Sequence, residues 1–249
     1  MFQRPARERI TEPVNAKSIA ASHSDGRTII RRIIFTAVAL ALWFWTQSLI
    51  GARQLSGSGI TDGLHQLTAP INSYLIGHPT ATNRLLVISS GFIDAFGLFL
   101  LLSWLFGRSV RPFLSLMLVM ALRQFMQALC ALPPPTGILW HSPGVPSLLV
   151  TYKVANDFFF SGHTAIAVLG LYEVARLRRI WLTTFASMVL VFEIVTVLSL
   201  RVHYTMDVFT GIVTALLVCG ISSRVAPQID KLVRGRAEPA AAMAKTHLG

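Results

Sequence analysis

The stretch LLVISSGFIDAFGLFLLLSWLF, Leu85 to Phe106, carries one charged side chain, Asp94, in 22 residues. A helix needs about 20 mostly apolar residues to cross the hydrocarbon core of a bilayer. This run is long enough and has no strand-like alternation of polar and apolar positions. Five more apolar runs flank it: Ile33 to Ile50, Pro112 to Leu132, Phe158 to Ala175, Trp181 to Leu200 and Tyr204 to Ser222. The chain is 53% hydrophobic and 13% charged, where a soluble domain is about 25% charged. The expectation is an all-α, polytopic membrane protein with six transmembrane helices.

Three parts follow from this layout. Residues 1–29 read as a polar tail, residues 30–224 as a six-helix transmembrane catalytic domain, and residues 225–249 as a second tail. The first apolar run starts too far in, and is too long, for a secretory signal; it reads as a signal anchor. Gly51 to Arg84 is a longer connection with room for a short interfacial helix. Pro133, Pro134 and Pro135 stop the third span, because proline cannot continue a helix. Cys130 and Cys219 lie in apolar runs and read as small packing residues.

The net charge is +11, and its distribution decides what it means. With six spans both tails share one side. That side collects 17 of the 22 Lys and Arg, the other has Arg53, Arg84, Lys153 and Arg201, and Arg123 lies within a span. Cytoplasmic loops carry the Lys/Arg excess, so both termini are expected in the cytoplasm. The basicity is then topological and does not signal nucleic acid.

The exoplasmic side collects the chemistry. Asp157-Phe-Phe-Phe-Ser161-Gly162-His163-Thr164 enters the fourth span, and Arg201-Val-His203-Tyr204-Thr-Met-Asp207 enters the sixth. Both spans start there, so both helix N-termini face that side and present free N–H groups suited to phosphate. Gly162 lets the backbone come close to a ligand. His203 and Asp207, four apart, share a helix face. A carboxylate on one ring nitrogen orients the imidazole and raises the basicity of the other nitrogen. His163 would meet them from the neighbouring helix as a proton carrier. Arg123 sits about nine residues below the end of the third span, roughly 13 Å deep, and an arginine at that depth needs an anionic partner. Asp94, Glu173 and Glu193 read as interhelical hydrogen-bonding groups. His65, His78 and His141 read as surface loop residues.

These motifs resemble the sphingomyelin synthases. They are also similar to the plant phosphatidylcholine:diacylglycerol cholinephosphotransferases, with Leu132-Pro133-Pro134-Pro135, Phe159-Phe160-Ser161-Gly162-His163 and Arg201-Val202-His203-Tyr204-Thr205-Met206-Asp207 in order. Both families belong to the lipid phosphate phosphatase superfamily. The resemblance spans roughly Arg123 to Gly220. It implies that His203 attacks phosphorus or activates the attacking group, that Asp207 orients it, and that His163 is the second catalytic histidine. It further implies substrate or phosphate contacts from Arg123, Arg201, Asp157, Ser161, Gly162 and Tyr204, with no cofactor and no metal.

The departures favour one branch. Arg111-Pro112 has no lysine seven positions before it and lies on the cytoplasmic side, Phe160 replaces the phosphatases' proline, and Val197 stands where they have arginine. A head-group transferase is therefore expected, moving phosphocholine or phosphoethanolamine from a phospholipid to a lipid alcohol such as diacylglycerol or ceramide. Two alternatives stay open: a lipid phosphate phosphatase or phospholipid hydrolase, and a non-catalytic lipid transporter. The partners expected are membrane lipids, and the site would face the periplasm or a lumen.

Overall fold

The computed structural model describes residues 60–130, 132–150, 152 and 158–246, together with Ile34, Val38, Ala41 and Trp45. The expected first span, Ile33 to Ile50, lies outside the described residues but for those four helical positions. Asp157 and Lys153 lie outside them too. Among the described residues the chain is entirely helical. Two short helices, α1 (Gly63–Leu67) and α2 (Ala69–Gly77), precede α3 (Pro79–Leu105), α4 (Arg111–Leu129), α5 (Gly162–Ala175), α6 (Ile180–Ser199) and α7 (Thr205–Thr246). Four are long and apolar enough to cross a membrane: α3, α4, α6 and the Thr205–Leu232 part of α7.

Helix ends differ from the hydropathy runs where local chemistry sets them. Helix α3 starts at Pro79, six residues before the apolar run. Proline suits the first helical position, where its missing N–H has no partner to lose, and the polar Thr80, Asn83 and Arg84 simply extend the helix. Helix α4 stops at Leu129, three residues early, and Cys130 is already extended. Three successive prolines deny donors to the carbonyls four residues before each of them.

Helix α5 starts at Gly162 rather than Phe158. Phe159 has a φ of 93°, a region sparsely open to residues with a Cβ. Ser161 then caps the helix, its Oγ accepting the Thr164 N–H at 3.3 Å. The 14 residues of α5 span only about 21 Å, short of a bilayer core of about 30 Å. The middle of α5 is apolar on all faces, as an enclosed stretch must be, and Ala165 to Leu169 are all buried against the other helices, while Leu171 and Tyr172 are half-buried.

Of the three acidic residues expected to bond between helices, Glu173 and Glu193 do so, whereas Asp94 holds a loop. The Glu173 carboxylate on α5 accepts a two-pronged contact from Arg111 at the start of α4, at 2.8 and 2.6 Å. Asp94 of α3 accepts from the Ser147 hydroxyl and from the Leu148 and Leu149 N–H groups, pinning the loop before α5. Glu193 of α6 accepts from Ser89 of α3 at 2.6 Å. The Arg111–Glu173 pair ties the last turn of α5 to the first turn of α4. The shortfall in α5's length therefore falls at its N-terminus, and that is where the cavity lies.

Candidate active site

The N-termini of α5 and α7 meet through their backbones. The Ser161 N–H donates to the Asp207 carbonyl at 3.0 Å. Gly211, one turn further along α7, makes the approach possible, since a Cβ there would stand 2.7 Å from the Ser161 carbonyl oxygen. The two histidine motifs, some forty residues apart, are thus one structural unit.

Asp207 is fully buried and has two duties. It is the third residue of α7, and its Oδ2 reaches back to accept the Tyr204 N–H at 3.0 Å, the N3 half of a capping box. The same oxygen lies 3.2 Å from Nδ1 of His203. A carboxylate oxygen only accepts, so His203 carries a proton on Nδ1, and Nε2 is the ring nitrogen that Asp207 does not engage. Helix capping and imidazole orientation share one atom.

His203 lines a cavity of about 200 Å³ together with Arg123, Trp140, Gly162 and His163. The rest of the lining is apolar: Ile93, Leu116, Met117, Met120, Leu149, Val150, Ile166 and Val202. Such a mixture of a few polar groups among apolar side chains is usual for a small-molecule site. The Nε2 of His163 is buried without a hydrogen-bond partner among the described residues, and the His163 ring meets Trp140 edge-on at 5.6 Å. Gly162 lies against the Arg123 side chain: a Cβ built there would sit in ordinary contact, 3.5 Å from the guanidinium Nε.

The other expected site residues lie elsewhere. Ser161 is fully buried, its hydroxyl on Thr164. Tyr204 donates its hydroxyl to the Pro133 carbonyl at 3.0 Å, which ties the triple-proline loop to α7. Arg201 donates from Nη2 to the His65 carbonyl at 2.5 Å. None of the three lines the cavity. Asp157 lies outside the described residues.

Two residues that bear on the site were not anticipated. His65 is not a surface group: it is 5% exposed, its Nε2 lies 2.8 Å from the His203 carbonyl, and its ring stacks on Tyr204. Asp62 accepts from the Thr205 N–H at 2.6 Å and the Thr205 hydroxyl at 2.5 Å while capping α1. Burial alone would raise the Asp62 pKa, but the Thr205 and His65 hydrogen bonds outweigh it, and the net displacement is below the usual carboxylate value. An Asp ahead of a short apolar segment is an N-cap signal, but nothing local says that the segment folds back onto residues 140 positions later.

Comparison with known proteins gives two matches. A family model described as AtPDCT1/2 matches residues 61–224. Phosphatidylcholine:diacylglycerol cholinephosphotransferase 1 of Arabidopsis thaliana is 21% identical over 165 residues, 66% of this chain and 54% of the plant protein. The chain thus spans about half the length of that curated relative. No solved structure matches.

Proposed function

The chain belongs to the AtPDCT1/2 family, and on that premise we propose that it is a phospholipid head-group transferase, moving a phospho-alcohol from a phospholipid to a lipid alcohol. The observation that supports this best is the single cavity onto which His163, Arg123 and the Asp207-oriented His203 all face. Phosphocholine is the first head group to test, and diacylglycerol the first acceptor, with ceramide second.

In this reading the phosphodiester rests against Arg123 and the Gly162 end of α5, which supply positive charge where negative charge develops. His163, protonated beside the bound phosphate, faces the ester oxygen of the leaving lipid. The Nε2 lone pair of His203 attacks phosphorus, the phosphorus–oxygen bond to diacylglycerol breaks, and His163 gives its proton to that oxygen. The acceptor's hydroxyl then returns a proton to His163 while its oxygen attacks phosphorus, and the phosphorus–nitrogen bond breaks. Head group and proton each move twice, so that over the cycle the donor's head group reaches the acceptor, the acceptor's proton replaces the one given to diacylglycerol, and the enzyme is restored. A one-step transfer with His203 as general base uses the same residues. The arginine, the histidines and the helix N–H groups carry the charge, so the proposed step uses no metal.

The proposal includes six spans, with α5 as the enclosed fourth, both termini in the cytoplasm and the cavity toward the exoplasmic leaflet. The Lys and Arg distribution supports that orientation.

The test is direct. Purified protein in detergent is given labelled phosphatidylcholine or phosphatidylethanolamine with diacylglycerol or ceramide, beside His203→Ala. A new phospholipid that the variant does not make supports the proposal and identifies the substrates. Release of a water-soluble phospho-alcohol or phosphate alone would make it a hydrolase. No turnover would sink the catalytic reading.

A further inference from the structure

We propose that Asp62, His65 and Arg201 form a clamp that fixes the backbone of the Arg201–Thr205 segment, and that His65 is a positioning residue for His203. The inference rests on His203 being the reactive group. It goes beyond that reading by assigning a task to the α1–α2 segment, which no motif covers.

The segment that carries His203 is held from one direction. Helix α6 ends in a tight reversal in which the Arg201 N–H donates to the Leu198 carbonyl at 3.2 Å and the Val202 N–H to the Val197 carbonyl at 3.0 Å. This is the Schellman arrangement, whose turning residue is usually glycine because it sits at positive φ. Here it is Arg201, at φ 56°. A residue with a Cβ pays roughly 1–2 kcal/mol there. Holding arginine in that conformation makes sense if the side chain is needed, and its guanidinium reaches the His65 carbonyl. His65 in turn donates from Nε2 to the His203 carbonyl, since a carbonyl can only accept. Asp62 takes both the N–H and the hydroxyl of Thr205. Three of the five residues from Arg201 to Thr205 are thus hydrogen-bonded to two side chains and one carbonyl of α1 and its cap. From α2, the Asn72 amide donates to the Ser199 and Gly137 carbonyls at 2.8 and 3.1 Å. The family match begins at residue 61, one position before the clamp.

The clamp complements Asp207. Asp207 sets the ring through Nδ1 and holds the N–H end of the His203–Tyr204 peptide, while His65 holds the carbonyl end of that peptide. Freeing that peptide lets Nε2 drift from phosphorus, and a displacement of about 1 Å in a reacting group costs on the order of 100-fold in rate. Binding would change little, because neither Asp62 nor His65 lines the cavity.

The experiment compares the full-length protein with His65→Leu and His65→Gln. Gln is chosen because its terminal amide can donate from near the position of Nε2; Leu cannot. Two readings are taken: kcat and KM for head-group exchange, and the rate at which diethyl pyrocarbonate modifies His203, followed by mass spectrometry. His65→Leu is expected to lose about 10- to 100-fold in kcat with KM little changed, and to show severalfold faster modification of His203. His65→Gln is expected to recover most of both. Wild-type kcat and modification rate in His65→Leu would overturn the clamp. So would equal losses in Leu and Gln that track a fall in melting temperature, since that pattern marks a merely structural residue. If the unsubstituted protein turns over no lipid, the functional reading has failed, and the modification rates alone still decide the clamp.

Discussion

Replacing Asp207 with asparagine changes one atom and separates the two duties of that side chain. The Oδ2 of Asp207 serves the Tyr204 N–H at 3.0 Å and His203 Nδ1 at 3.2 Å in a fully buried site. If the amide oxygen of asparagine takes that place, both contacts survive as neutral bonds. Hydrogen bonds to a charged group contribute about 1.5–3 kcal/mol and neutral ones about 0.5–1.5. The expected loss of stability is therefore about 2–3 kcal/mol, reduced by relief from burying a charge. If the amide flips, its NH2 faces two donors and forces the His203 proton onto Nε2, which removes the nucleophile. In a hydrolytic triad the corresponding change costs about 10⁴ in kcat through the wrong tautomer. Asp207→Asn should thus lower kcat by roughly 10²- to 10⁴-fold with a modest drop in melting temperature. Exchange between labelled phosphatidylcholine and diacylglycerol, run beside thermal unfolding in detergent, measures both. A kcat within about threefold of wild type, less than about 1 kcal/mol of barrier, would refute the orienting role and leave Asp207 as a helix cap alone.

Other outcomes follow from the packing and the charges. Gly211→Ala drives a methyl group into the Ser161 carbonyl, and overpacking against backbone should cost about 1–3 kcal/mol. Gly91→Ala, whose Cβ meets nothing within 4 Å, should be neutral or stabilising by up to about 1 kcal/mol; thermal unfolding of the pair checks the contrast. Glu173→Gln leaves the half-buried Arg111 guanidinium one neutral acceptor in place of a carboxylate and should destabilise by about 1–3 kcal/mol, whereas Arg111→Met with Glu173→Leu should come close to neutral. Lipid turnover per folded molecule should be unchanged in both, because the pair lies at the far end of α5 from His163. Burial holds the His65 pKa below its ordinary value, as does Arg201, against the opposing pull of the His203 carbonyl, Asp62 and Asp207. The unfolded chain therefore takes up that proton first, and stability should fall as pH drops from about 6.5 toward the lower folded value. Asp62, held below its usual value, keeps its contribution until the pH falls below about 3.8. His65→Gln should flatten the loss between those limits in a pH series of unfolding curves. Turnover should survive EDTA; loss in the chelator with recovery on adding Mg²⁺ would count against the metal-free step.

Much of this protein was legible from sequence because the relevant properties are local. Whether a run such as Leu85 to Phe106 suits a bilayer depends on its own side chains. The contact between His203 and Asp207 is local too, although His203 does not share the helix as expected: it stands two residues before α7, and Asp207 reaches back to it from the third position. The span limits were less legible, because capping rather than hydropathy ends a helix: Pro79 lengthened α3 into polar residues, and Phe159 with Ser161 delayed α5. The sequence motif also mixed residues of different kinds. Gly162, His163 and His203 do face the cavity, but Ser161, Tyr204 and Arg201 spend their hydrogen bonds on the scaffold that holds it. Motif membership does not tell these apart, since both roles need the same residue in the same place. Only the tertiary structure shows that His65, 138 positions before His203, is buried against it, and that Trp140 stands beside His163. Contacts between distant segments depend on how helices pack, and that is decided by the shapes of many side chains together. The sequence by itself thus determined the apolar, all-helical character and the His203–Asp207 pair at the start of α7; the packing decided which polar residues line the cavity and which brace it.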